Sequence, residues 1–230
     1  LGLFSLSYEI SNLPTTELSM PINRAVFPGY AKMSSDPSLL QQGYLNVLAM
    51  IGLFALPAGA GIAAIAGLLV AVFLGEQWAD ATPLIAILAL YGTTNAMLTN
   101  TGTVFLAMGK PHYLSVVAAL RVAVLIPALI AFTRSDGAIG AAWTYLGVAL
   151  LFMPVIYALL FRLINLSVVR FLREIWRPAM ATIAMYAAVT AFTDWAGTAA
   201  GMPGQTWRLV VAILVGALVY AGARLLLWRL

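Results

Sequence analysis

The chain has 230 residues, of which 63% are hydrophobic and only 9% charged, and its formal net charge is +4. A soluble domain carries about 25% charged residues, so the composition excludes one and marks an integral membrane protein. With no cysteine, the sequence is silent on redox compartment.

In chain order, stretches with few or no charges predict seven spans, at about 4–33, 44–74, 83–109, 112–133, 138–161, 178–194 and 207–228. Most reach the ~20 residues that a helix needs to cross a bilayer. The two C-terminal spans borrow length from the flanking Arg177, Arg208 and Arg224. Alternation of the barrel kind is absent, so the expected fold class is all-α, a polytopic bundle of transmembrane helices. The chain opens inside a patterned segment with neither an initial Met nor a signal peptide, which predicts that about half of a larger protein precedes it.

The first span is the most polar. On a helix at about 100° per residue, Glu9, Asn12, Thr16, Glu17, Met20, Asn23 and Arg24 fall within an arc of roughly 140°. Pro14, Leu18, Pro21, Ile22 and Ala25 occupy the rest. Ionisable groups at membrane depth cost several kcal/mol unless they face a bundle interior or a water-filled cavity, so the arc is expected to point inward. Pro14 and Pro21 each remove a backbone donor, freeing the carbonyls of Ile10 and Glu17, which predicts a bent or locally unwound helix. Broken helices of this kind line transport pathways. Two readings stay open for Glu17 and Arg24. They form an internal ion pair, or they build a cavity wall in which Arg24 offers a cation to an anionic substrate and Glu17 positions it or takes up a proton.

In the third span, Thr94, Asn95, Thr99, Asn100 and Thr103 interrupt the apolar run. They are either interhelical glue or contacts to hydroxyl-rich, sugar-like groups. Arg121, in the fourth span, either snorkels to the inner surface or adds a second cation to the same cavity. Between the fifth and sixth spans, RLINLSVVRFLREIWR gathers Arg170, Arg173, Glu174 and Arg177 on one helical face. It reads as a short helix over 166–177 lying in the headgroup layer and attracted to anionic lipid, or as a charged connector that only fixes topology. Pro178 then opens the next helix.

A zigzag through these spans collects Lys32, Lys110, Arg162, Arg170, Arg173, Arg177, Arg224 and Arg229 on one side and only Arg134 and Arg208 on the other. By the positive-inside rule the crowded side, which includes the C-terminus, is cytoplasmic.

The strings ISNLPTTELSMPINRAVFPGYAK and FLGEQWADATPLIAILALYG resemble the polysaccharide-exporter branch of the multidrug/oligosaccharidyl-lipid/polysaccharide superfamily, the Wzx-type flippases of O-antigen and exopolysaccharide repeat units. The resemblance implies two six-helix lobes followed by two extra helices. On that map residues 1–165 are the second lobe, incomplete at its N-terminus, 166–177 the amphipathic connector, and 178–230 the extra pair. It further implies a multi-pass protein of the bacterial inner membrane that flips lipid-linked oligosaccharide by alternating access. Its substrate would be an undecaprenyl-pyrophosphate-linked oligosaccharide, and its partners anionic membrane lipids and other polysaccharide-assembly proteins.

In such relatives cavity arginines engage the carrier pyrophosphate; by position Arg24 matches them, followed by Arg121. Asn12, Asn23, Asn95 and Asn100 are then expected to meet sugars, and Glu17 or Glu9 to couple ion or proton movement. The alternative is an ion-coupled multidrug antiporter of the same superfamily, whose cationic drugs would favour an acidic, aromatic cavity. A membrane-embedded enzyme is disfavoured, since His112 is the only histidine and neither HExxH nor GxSxG occurs. No cofactor, metal or nucleic-acid partner is expected.

Overall fold

The computed structural model describes residues 2–198 and 204–228, which are helical nearly throughout and form no strand. The first segment joins α1 (Gly2–Leu13), a π-helical turn (Pro14–Ser19) and α2 (Met20–Met33). Asp36 caps α3 (Pro37–Ala64): one carboxylate oxygen accepts from the Ser38 and Leu39 backbone N–H groups at 2.9 and 3.3 Å. Pro37 sits in the first turn, where its missing donor has no intrahelical partner to lose. Beyond Ile65 come α4 (Ala66–Leu69), a second π-helical turn (Val70–Leu74) and a 3₁₀ turn (Glu76–Trp78), which leads into α5 (Ala81–Ala107). Then follow α6 (Pro111–Ile164), α7 (Val168–Thr198) and α8 (Gln205–Trp228).

α6 is a hairpin of two helical arms. Gly137 turns the chain with φ 59° and ψ −134°, a conformation that residues with a side chain avoid. Beyond the turn, Gly140 lies so close to the Phe132 carbonyl that a Cβ would collide with it. Val117 and Leu125 of the first arm then pack against Val148 and Phe152 of the second. Among the described residues α3, α5, α6 and α8 are long and apolar enough to cross a membrane. With the two arms of α6 counted separately, the first segment and α7 complete seven helical segments, and the all-α bundle is borne out; the boundaries differ, most of all at α3, which begins seven residues before the expected 44, and at α7, which begins ten before the expected 178.

One element differs from expectation. The short helix expected over 166–177 and the span after it are a single helix, since α7 runs through Pro178 without interruption. The run RFLREIWR consists of good helix formers with no glycine to stop it, and a proline removes only one backbone donor from a helix that already exists. Arg229, counted among the cytoplasmic charges, lies outside the described residues.

Successive segments run antiparallel. Tyr30, Leu40, Phe105, Ile164 and Phe171 meet in the main core, which brings the end of α2, the start of α3, the ends of α5 and α6 and the start of α7 together. Leu84, Tyr91 and Leu146 pack with Leu3 and Phe4 toward the other end. Gln41 ties three elements at the first end: its amide donates to the Ile164 and Asn165 carbonyls at 2.7 and 3.2 Å, and accepts from Arg170 at 3.4 Å. The C-terminal pair docks on α3 through Ala60, Ile65, Met185, Val189, Leu209 and Ala212. The Tyr220 hydroxyl adds a bond to the Leu53 carbonyl at 2.8 Å.

Candidate functional site

Small side chains hold the polar first segment against α5. The Ser11 hydroxyl donates to the Ile85 carbonyl at 3.1 Å and the Thr15 hydroxyl to the Gly92 carbonyl at 2.9 Å. Gly92 has no room for a Cβ because the Ser11 carbonyl lies there, a close backbone approach that small residues permit between membrane helices. These contacts set the rotation of the segment and so decide which residues look outward.

The local unwinding expected from the two prolines takes the form of the π-helical turn. Pro21 offers no donor, and the register shifts so that the Met20 N–H reaches the Thr15 carbonyl, five residues back. Glu9, Thr16, Glu17 and Arg24 are exposed on the outward face. Asn12 and Asn23 turn toward neighbouring helices and are 7% and 5% exposed. The ion pair considered for Glu17 and Arg24 does not form among the described residues, which leaves the guanidinium open.

Arg24 borders a recess of about 350 Å³ with Met20, Asn23 and Phe27 of α2 and Thr99 and Thr103 of α5. The polar arc of the first segment and part of the polar island of α5 therefore meet. The Asn23 amide is buried with no partner for its oxygen or its nitrogen, an uncommon condition for a buried polar group. The Thr99 and Thr103 hydroxyls donate to carbonyls four residues back, at 2.7 and 3.1 Å, and keep lone pairs for an incoming donor. A guanidinium fork beside a free amide and two hydroxyls suits an anion that carries hydroxyl groups nearby.

The other expected residues lie elsewhere. Asn95 is half-buried on α5 and gives its backbone carbonyl to Thr99. Asn100 is fully buried and accepts from the Tyr30 hydroxyl at 2.9 Å, bracing α2 against α5. Arg121 neither snorkels away nor joins the recess of Arg24. It donates to the Tyr91 hydroxyl at 3.4 Å and lies 5.9 Å from that ring's centre, a cation–π geometry. Tyr91 stands eight residues before Thr99 on α5, about 12 Å along the axis, so the two arginines sit at different levels.

Sequence reasoning missed the tyrosines around Arg121. Tyr8, Tyr91 and Tyr145 meet at ring-centre distances of 5.5–6.1 Å. The available signal was a tyrosine inside each of three apolar spans, whose hydroxyl needs a partner; spacing along the chain does not reveal that they converge. Among the described residues no group of three or more His, Asp or Glu side chains could hold a metal ion.

Residues 1–83 match the family model described as a polysaccharide biosynthesis protein. The teichuronic acid biosynthesis protein TuaB of Bacillus subtilis (strain 168) is 25% identical over 96% of this chain and 45% of its own length. The lipopolysaccharide biosynthesis protein WzxC of Escherichia coli (strain K12) is 22% identical over 77% of this chain and 36% of its own length. The amylovoran biosynthesis protein AmsL of Erwinia amylovora is 30% identical over 55% and 33%, respectively. The chain thus spans less than half the length of these curated relatives. Among solved structures, the lipid II flippase MurJ in its inward closed conformation superposes with a TM-score of 0.79 over 99% of this chain and 47% of that one. At 14% identity that likeness shows the fold. The resemblance read from the sequence is thereby borne out: the chain is similar to polysaccharide biosynthesis proteins, and its fold is like that of the lipid II flippase MurJ.

Proposed function

We propose that this chain is the second-lobe part of a flippase that exports lipid-linked oligosaccharide or polysaccharide repeat units across the bacterial inner membrane by alternating access. The observation that carries this reading is Arg24, a guanidinium without an ion-pair partner that lines one recess beside Asn23, whose amide is buried and unpaired. Facing lipid, Glu9, Glu17 and Arg24 would cost several kcal/mol. A water-filled cavity completed by the rest of the protein removes that cost.

In this account Arg24 attracts the pyrophosphate of an undecaprenyl carrier while the polyprenyl tail stays in lipid. Asn95 offers its amide to the head group, Asn12 and Asn23 do so when rocking of the lobe uncovers them, and Asn100 steadies α5 through Tyr30. Arg121 supplies a second cation deeper in the wall, and Glu17 or Glu9 couples ion or proton movement to the return step. Residues 1–165 form the rocking lobe, 166–177 meet anionic lipid, and 178–230 add the extra pair, with the C-terminus in the cytoplasm. The protein is a transporter rather than an enzyme. The named relatives are polysaccharide biosynthesis proteins, which favours this reading over ion-coupled multidrug antiport.

The test uses the full-length protein in its host. Arg24→Ala is expected to abolish surface polysaccharide at an unchanged membrane level of the protein, and Arg24→Lys, which keeps charge but loses the fork, to retain part of it. Full export by Arg24→Ala would remove Arg24 from the site.

A further inference from the structure

Toward the end of the bundle remote from Arg24 lies a second recess, of about 740 Å³, lined by Phe4, Ser5 and Tyr8 of α1 and by Thr133 and Tyr145 of α6. Its volume falls among those of small-molecule sites, about 300–1,000 Å³. The wall is aromatic: Phe4 lies 5.9 Å and Tyr8 6.1 Å from Tyr145, and Tyr91 stands edge-on to Tyr145 at 5.5 Å. Arg121 backs this group through the Tyr91 hydroxyl. On α1, Ser5, Tyr8, Glu9 and Asn12 fall within about 100° of helix surface, so the recess opens onto the polar face that continues toward Arg24. Tyr8 and Arg24 are sixteen residues apart, about 24 Å at 1.5 Å per residue. One phosphate cannot occupy both places, whereas a saccharide joined to a phosphate presents different chemistry at its two ends.

We infer that this tyrosine recess is a binding station for sugar rings. A pyranose has an apolar C–H face and a polar rim. Tyr8 and Tyr145 offer apolar faces with a hydroxyl at one edge, and Ser5 and Thr133 add donors and acceptors at the margin. A purely hydrocarbon occupant would leave the Ser5 and Thr133 hydroxyls without partners. The inference rests on the lipid-linked saccharide reading and adds to it a seat for the saccharide separate from that for the phosphate. The hydroxyls of the α5 polar island are less free for this task, because Thr93, Thr94, Thr99 and Thr103 all donate to their own helix.

The experiment titrates two probes into the full-length protein in lipid nanodiscs: the carrier-free oligosaccharide released by mild acid from the host's lipid-linked pool, and undecaprenyl pyrophosphate. Tyr8→Leu and Tyr145→Leu are expected to weaken the oligosaccharide about tenfold and to leave the pyrophosphate within about twofold. Arg24→Ala is expected to do the reverse. Tyr8→Phe and Tyr145→Phe keep the packing, so they decide the case in which the leucine variants do not fold. Hydroxyl loss alone is expected to weaken the oligosaccharide about threefold. Oligosaccharide binding unchanged in every folded variant, or absent from a wild-type protein that binds the pyrophosphate, overturns the station and leaves the flippase reading standing. If the wild-type protein binds neither probe, both fall together.

Discussion

Gly92 and Asp36 show how single residues set this architecture. At Gly92 the Ser11 carbonyl takes the place of a side chain, so Gly92→Ala is expected to push α1 off α5. The cost, about 1–3 kcal/mol as for other overpacked contacts, should appear as a lower thermal midpoint of the purified protein. Asp36 lies outside the spans. The Ser38 hydroxyl and then the Leu39 and Ser38 backbone N–H groups hold its pKa below the usual carboxylate value. A depressed folded pKa contributes stability above the unfolded value, near 3.9, and loses it as pH falls through the folded value. Asp36→Ala should therefore flatten the acid limb of a thermal-midpoint profile below about pH 4 and leave its slope near pH 7 unchanged. At this scale the polar face was legible, since Glu9, Asn12, Glu17, Asn23 and Arg24 share an arc that the bilayer makes costly. The partner of Arg121 was not, because Tyr91 is brought to it by the packing of α5 on α6 and not by any spacing along the chain.

Among the elements, the broken first segment and the α6 hairpin matter most. Pro14 and Pro21 announced that the first segment could not be a regular helix, but the π-helical form follows from which carbonyls find new donors, a question of geometry and not of composition. The hairpin was legible as two apolar runs separated by the charged stretch around Arg134 and Asp136, and its turn depends on Gly137. Gly137→Ala forces a side chain into φ 59°, ψ −134°, at about 1–3 kcal/mol of strain, and is expected to speed proteolysis at the turn in reconstituted protein. The continuity of α7 escaped the sequence because a proline permits both a helix start and a helix interior. What decides is the helix already formed by Arg170–Arg177 and anchored by Phe171 in the main core.

At the scale of the whole molecule, the first segment presents one continuous wall with its neighbours: the guanidinium recess against α5 toward one end, the tyrosine recess against α6 toward the other, and exposed carboxylates between them. The C-terminal pair, bound to α3 through the Tyr220 bond and a small apolar cluster, stands away from that wall. Such a wall acquires meaning only opposite a second surface, in keeping with a chain that covers less than half of its curated relatives. The central claim is that the complete protein moves a lipid-linked saccharide across the membrane. Its most direct test is to delete the complete gene in its host, without a redundant exporter, and measure lipid-linked oligosaccharide on each face of the inner membrane. The account predicts that intact repeat units accumulate on the cytoplasmic face while surface polysaccharide is lost; an unchanged distribution between the two faces would contradict it.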